Sequence, residues 1–236
     1  MGELVQVLVE RLAGVEILTG QAVQAVTPLK HGYTLKLDNG SQLDAEALVL
    51  ATPAYITARL VEPFDPALAA AHADIPYAST ATVSLAYAED RIPAPLDGFG
   101  YVIPNVEGGD VLACTWTSSK WEGRAPEGFA LLRVYLGRYG SDVLQRSDEE
   151  LLALAQAELK HTLNITATPQ LCRIYRWPAS MPQYTLGHPQ RLAAIERRLA
   201  THPGLFVAGA AYRGVGIPDC IASGERAAEA VLACLA

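Results

Sequence analysis

Between Leu205 and Leu232 the chain reads LFVAGAAYRGVGIPDCIASGERAAEAVL, and the order of residue types there is chemically suggestive. A short apolar run, Leu205 to Ala208, leads into glycines at 209, 214 and 216, then Pro218, Asp219 and an alanine-rich stretch. Glycines supply positive φ or room for a ligand to approach the backbone, and a helix N-terminus just beyond them favours an anionic or electron-rich group. Asp219 stands where a first-turn carboxylate can satisfy amides that the helix itself leaves without partners. A strand–turn–helix whose glycines serve only tight packing accounts for the same string, because a loose glycine pattern has low specificity.

A second junction of this kind lies in LVLATPAYITARL, Leu48 to Leu60. The apolar run Ala45 to Ala51 predicts a strand covered on both faces. It ends at Thr52-Pro53, where a helix over Ala54 to Leu60 starts with proline in its first turn. Strand ends that pass into helices are where α/β sheets meet their ligands. The histidines are less informative. His188 precedes Pro189 and suits helix N-cap duty. His31, His72, His161 and His202 fall in turns or helices beside polar neighbours and make no metal-ligand set. No serine carries a nucleophile-elbow motif, which disfavours hydrolase chemistry, and no side chain stands out as a general base, so no catalytic residue is nominated.

The elements that must position these junctions follow from periodicity. Apolar residues at 4, 5, 8, 9 and 12 predict an amphipathic helix over 3–13. Strands are expected at 15–18, 22–28 and 33–37, with Asn39-Gly40 as a hairpin turn. The middle of the chain has another texture, with strands at 79–88, 98–104, 111–118, 130–137 and 170–177 separated by polar or Gly/Pro turns. Ser147 is a natural N-cap for an amphipathic helix over 148–163, with acidic residues in its first turn. Helix, strand and helix return at 189–200, 205–208 and 218–235.

With 236 residues, half of them apolar and 18% charged, the chain can bury a substantial core. Its net charge of −7 argues against a nucleic-acid partner. The four cysteines, at 114, 172, 220 and 234, contain no C-x-x-C pair, so neither a disulfide framework nor a metal cluster is suggested and a reducing cytoplasm is the simplest location. The N-terminal segment lacks the pattern of a signal peptide, and no run is long enough to span a bilayer.

The string GVGIPDCIASG resembles the C-terminal flavin-contacting motif of the protoporphyrinogen oxidases, FAD enzymes of the amine-oxidase-like superfamily. IPYASTATVSLAY, PLDGFGYVIP, CTWTSSKW and RWPASMPQYTLGH also occur in the order found in bacterial members, so the resemblance covers nearly the whole chain. It implies that backbone around Gly209, Gly214, Val215, Gly216, Ile217 and Pro218 lies against the flavin ring, with Ala51 and Thr52 beside the cofactor. Val23, in GQAVQAV, matches a residue whose backbone contacts the FAD adenine. Ile56 and Thr57 would face the substrate cavity, and Tyr135, on the stretch 132–136, would line an apolar porphyrinogen pocket. Arg173 and Arg176 read as solvated, with steering of a propionate-bearing substrate as the alternative.

The fold implied is α/β, mixed α+β in detail. Residues 1–75 and 181–236 would form a partial FAD-binding domain in two segments, around an inserted, largely antiparallel sheet-plus-helix substrate-binding domain at 76–180. The implied activity is oxidation of protoporphyrinogen IX or coproporphyrinogen III in haem or chlorophyll synthesis, with hydrides passing to flavin N5 and oxygen as acceptor. The G-x-G-x-x-G of dinucleotide-binding folds is absent from the 236 residues, and members of the family are much longer. The resemblance is therefore to the C-terminal half, with an incomplete FAD site and little expected activity alone. Other readings stay open: a tetrapyrrole-binding module without catalysis, a subunit of a split flavoenzyme with a separate N-terminal FAD-binding half, or part of an amine oxidase or desaturase. Peripheral membrane association would belong to the full-length enzyme.

Overall fold

A computed structural model describes residues 2–236. The fold is mixed α/β and divides into two compact units, one from the residues up to Ala73 together with Gln190–Ala236, the other Asp74–Pro189. Among the described residues no helix is long and apolar enough to cross a membrane.

In the first unit, α1 (Gly2–Arg11) follows the amphipathic pattern, yet none of its residues is buried. The strand expected at 15–18 does not form. Val15, Ile17 and Leu18 are 59, 46 and 43% exposed and, among the described residues, have no neighbouring strand to complete a ladder. The antiparallel meander β1 (Val23–Pro28), β2 (Tyr33–Leu37) and β3 (Gln42–Ala45) comes next, its second turn closed at Gly40 with φ +84°. The apolar run 45–51 is not one strand. Its first residue ends β3, and only β4 (Leu48–Leu50) continues, bonded on one side to β10 (Leu205–Val207) in a parallel pair. Val49 is accordingly 36% exposed.

Helix α2 (Ala54–Val61) packs on α3 (Pro66–Ala73), which the periodicity of the sequence did not suggest. Its signal was Asp65-Pro66, an N-cap acid before a first-position proline. The Asp65 carboxylate accepts the Leu68 amide (2.9 Å), Arg198 (3.0 and 2.7 Å) and His202 (2.7 Å), with no solvent exposure of its side chain. Burial alone would raise its pKa, but the bonds to Arg198, Leu68 and His202 outweigh that and hold it at about 2. His72 is fully buried instead of lying among polar neighbours. Its Nδ1 bonds the Leu68 carbonyl (2.9 Å), its Nε2 has no hydrogen-bond partner among the described residues, and its ring meets Tyr212 edge-on. Helices α6 (His188–Leu199) and α7 (Ile217–Leu235) flank β10 in sequence.

The second unit is a five-stranded antiparallel sheet in the order β6–β7–β8–β5–β9. The strands are β5 (Tyr77–Ala88), β6 (Gly100–Val102), β7 (Val111–Trp116), β8 (Phe129–Leu136) and β9 (Leu171–Pro182), with a short α4 (Thr117–Lys120) after β7. One face is the core. Ala81, Val83, Leu85 and Tyr87 of β5 and Leu132, Val134 and Leu136 of β8 pack with Leu151, Ala155 and Leu159 of α5 (Asp148–Leu163). That helix starts at the expected N-cap: Ser147 Oγ accepts the Glu150 amide while Glu150 accepts the Ser147 amide, a capping box. β9 runs past the expected end at Trp177 by way of a bulge, where Ala179 takes φ 41° and its amide donates to Ser79 Oγ. His188 is the first residue of α6, and its ring stacks on Tyr184 with centroids 4.1 Å apart.

Candidate functional site

The parallel pairing Leu48↔Leu205, Phe206↔Val49 and Val207↔Leu50 brings together two segments about 150 residues apart, and both strands leave the ladder at the same edge. Ala208 still donates to the Leu50 carbonyl (3.2 Å). Beyond that bond one chain continues as Ala51-Thr52-Pro53 into α2, the other as Gly209-Ala210-Ala211 toward α7. The short strands are only three residues each, so register, not length, does the aligning.

At the first strand end, Ala51 and Pro53 are exposed and Thr52 is half-buried. Thr52 and Thr57 share a hydroxyl–hydroxyl bond of 2.8 Å, and Thr57 is fully buried. Thr57 therefore fixes the Thr52 rotamer, while half-buried Ile56 and exposed Tyr55 lie on other faces of the helix. At the second strand end, Gly209 has φ +117°, with open space where a side chain would project, and its amide donates to Ser223 Oγ (3.0 Å), tying the turn to α7.

The glycines at 214 and 216 have a different cause. A Cβ on Gly214, at φ +144°, would collide with the Asp219 carboxyl, and one on Gly216 would stand 2.9 Å from its Oδ2. Both spaces belong to Asp219, whose Oδ2 accepts the Gly216 amide (3.2 Å). Pro218 in the first turn removes a donor, and glycine at the N-cap offers no side-chain acceptor, so Asp219 is the cap. A carboxylate folded over this helix start already offsets part of the positive helix end. The turn suits a neutral, electron-rich group more than a phosphate. Val215, Ile217 and Ile221, each about half exposed, give its outer surface apolar character. Val23 lies elsewhere, half-buried at the start of β1 and paired with Leu37.

The second unit carries its own ordered surface, on the sheet face opposite α5. The register places Tyr175, Thr82 and Tyr135 side by side, and next to them Arg173, Ser84 and Arg133. Trp177, across from Thr80, donates to Thr82 (3.4 Å), and its ring lies 6.4 Å from that of Tyr175. Tyr175 and Trp177 are 56 and 50% exposed, and Tyr135 is half-buried. Arg173 and Arg176 point to opposite faces of β9. Arg176 is engaged by Asp148 and by the Arg146 carbonyl (2.6 Å), so only Arg173 belongs to the open face.

Ligands of α/β folds bind outside the carboxyl ends of parallel strands, the arrangement that β4 and β10 present here. Within that class of folds the assignment is direct. Residues 1–232 match the family model for flavin containing amine oxidoreductase, and the chain belongs to that family. It is 37% identical over 207 residues to the coproporphyrinogen III oxidase of Bacillus subtilis (strain 168), across 86% of this chain and 44% of that protein. It is 33% identical over 229 residues to the protoporphyrinogen oxidase of Bos taurus, across 93% of this chain and 47% of that one. Among solved structures, the proposed protoporphyrinogen oxidase of Exiguobacterium sp. 255-15 superposes with a TM-score of 0.80 at 31% identity, over 98% of this chain and 51% of that chain. A putrescine oxidase variant at 18% identity and TM-score 0.70 shares the fold. The chain spans about 44% of the length of the first of these curated relatives.

The family implies a flavin cofactor. The residues at the strand ends fit a flat ring system on three counts. Open space stands at Gly209, the residues around it at 51 and 208–211 include four alanines, and the α7 start is capped for a weakly polar, not a fully anionic, neighbour.

Proposed function

We propose that this chain supplies the flavin-ring contacts and the substrate wall of an FAD-dependent porphyrinogen oxidase that converts coproporphyrinogen III or protoporphyrinogen IX to the porphyrin with oxygen as acceptor. The observation that carries the reading is the parallel register of β4 and β10, which sets Ala51–Thr52 and Gly209 at one edge in a chain of the flavin family. The names of the relatives support the substrate class. When bound, the flavin would supply hydride acceptance at its N5.

This chain's own residues would orient and enclose. Backbone at Gly209 and from Gly214 to Pro218 would border the ring, and the amides beside Val215 would face its pyrimidine end. Ala51 and Thr52 would close the other side, with Thr57 holding Thr52 in place. Val23 would meet the adenine end through its backbone. Ile56 and Tyr135 would offer apolar surface to the substrate. With no general base among them, catalysis would rest on orientation and exclusion of water. In this reading the first unit is the partial FAD-binding domain and the second the substrate-binding domain, from a protein at home in the cytoplasm.

The test supplies the chain with FAD and a polypeptide bearing the G-x-G-x-x-G half, then adds coproporphyrinogen III or protoporphyrinogen IX and follows porphyrin fluorescence. Formation well above the rate without protein is expected. A rate equal to spontaneous oxidation, with no porphyrin binding, would sink the reading. Porphyrin binding without turnover would favour a tetrapyrrole-binding module instead.

A further inference from the structure

The open face of the five-stranded sheet holds two arginines that no fold requirement explains. Arg173 and Arg133 occupy the two strands on either side of Ser84, in one row and on one face. With strands about 4.8 Å apart, their Cα atoms stand about 10 Å from each other. Arg133 Nε donates to Ser84 Oγ (3.2 Å), and Arg173 Nη1 donates to the Cys172 carbonyl (3.0 Å). Among the described residues neither forms an ion pair, whereas Arg146, Arg176, Arg198 and Arg213 each have a carboxylate. Like charges in neighbouring positions of a sheet repel, and a sheet surface relieves that with interspersed acids. None is present in this row, whose other members are Ser84, Thr115 and Gly100.

The rows on either side are uncharged and, apart from Thr82, apolar or aromatic. Tyr175, Thr82, Tyr135, Ala113 and Val102 lie on one side, and Leu171, Ala86 and Leu131 on the other. A cation pair between flat apolar platforms complements a ligand that is itself flat and apolar but carries carboxylates on flexible arms. We propose that Arg133 and Arg173 bind two carboxylate arms of the tetrapyrrole, while Tyr135, Tyr175 and Trp177 support its macrocycle. This rests on the substrate class proposed above and names the residues that would select for carboxylates. It also distinguishes Arg173 from Arg176, whose charge is already committed to Asp148 on the other face.

The experiment titrates the 236-residue chain with coproporphyrin III, the fluorescent oxidised tetracarboxylate, and in parallel with its tetramethyl ester. Arg133→Gln and Arg173→Gln should each weaken the free acid about tenfold, as loss of a charge-assisted hydrogen bond does. Ester binding should be unchanged, and Arg133→Lys with Arg173→Lys should restore part of the loss. Arg176→Gln should leave both ligands unaffected. Binding of the acid alone should weaken with added salt. Melting temperatures report whether each variant is folded. If the wild type binds the acid and the double Arg133→Gln/Arg173→Gln variant binds it equally well, the arginine assignment is overturned and the porphyrinogen reading stands. If the wild type binds neither acid nor ester, the porphyrinogen reading itself fails and takes this inference with it.

Discussion

Asp219 decides the chemistry of the turn that carries the flavin-like motif. Its side chain fills the spaces over Gly214 and Gly216 and bonds the Gly216 amide, so these glycines exist for the cap as much as for a ligand. Gly214→Ala should therefore destabilise the first unit by about 2–3 kcal/mol, from backbone strain at φ +144° and from the clash together. Adding Asp219→Ala should recover the steric part only, so the double variant should melt above Gly214→Ala and below Asp219→Ala, measured by thermal unfolding. A simple sum of the two single effects would refute this coupling. Cysteine reactivity follows the same local logic. Burial first, then the charge of Glu158, pushes the Cys114 thiol up to about 12, while Cys234 is exposed. A thiol-specific reagent at pH 8 should modify Cys234 promptly and Cys114 only on unfolding, as read by mass spectrometry of the peptides.

Elements with strong local signals were legible, and those that depend on remote partners were not. Ser147 and Glu150 announced the start of α5 because a capping box is a contact between near neighbours. The alternation of β5 and β8 revealed a one-sided sheet for the same reason. The missing strand at 15–18, the short β4 and the overlooked α3 depend on what lies alongside, which no window of sequence contains. At the site, the string around Gly209 to Asp219 was readable as a strand–turn–helix. Its pairing with residues 48–50 was not, nor was the split of Arg173 and Arg176 between faces. The buried pairs of the α2–α3 segment were hidden likewise, and they make a prediction about acid. Burial lowers the His72 pKa, partly countered by its bond to Leu68, so the unfolded chain takes up a proton that the folded one resists. Stability from this group is complete above about pH 6.5 and declines as pH falls below it, with a slope approaching 1.4 kcal/mol per pH unit, roughly. Asp65 acts lower. Its depressed pKa gives stability that persists above about pH 4 and disappears as pH falls toward about 2. Urea unfolding from pH 8 to 4.5 should show the decline in the wild type and lose it in His72→Leu. An unchanged slope in that variant would assign the proton to another group.

Considered whole, the chain has one unit built on a well-packed core and one in which several elements lack packing partners. The second unit packs a full sheet against α5, whereas in the first α1 buries nothing and β4 and β10 form a parallel pair of only two strands. Parallel sheets are ordinarily wider and covered on both faces. An isolated ten-residue helix is marginal in water. Amides of α1 should thus exchange with solvent orders of magnitude faster than those of β8 or α5, by hydrogen-exchange mass spectrometry. Flavin affinity follows from the same imbalance. In the proposed function the strand ends would offer a ring site, but the 236 residues contain no G-x-G-x-x-G to bind a pyrophosphate through backbone amides. For a complete dinucleotide site, FAD binds far more tightly than riboflavin because the phosphates and adenine add their own contacts. In the proposed function those contacts would reduce to a backbone near Val23, so FAD and riboflavin should bind within about tenfold of each other, a difference of about 1.4 kcal/mol. The protein should purify colourless, and flavin fluorescence titration gives the ratio. Strong preference for FAD, or a yellow protein with stoichiometric flavin and turnover, would mean that a phosphate site exists in this chain outside the glycine pattern.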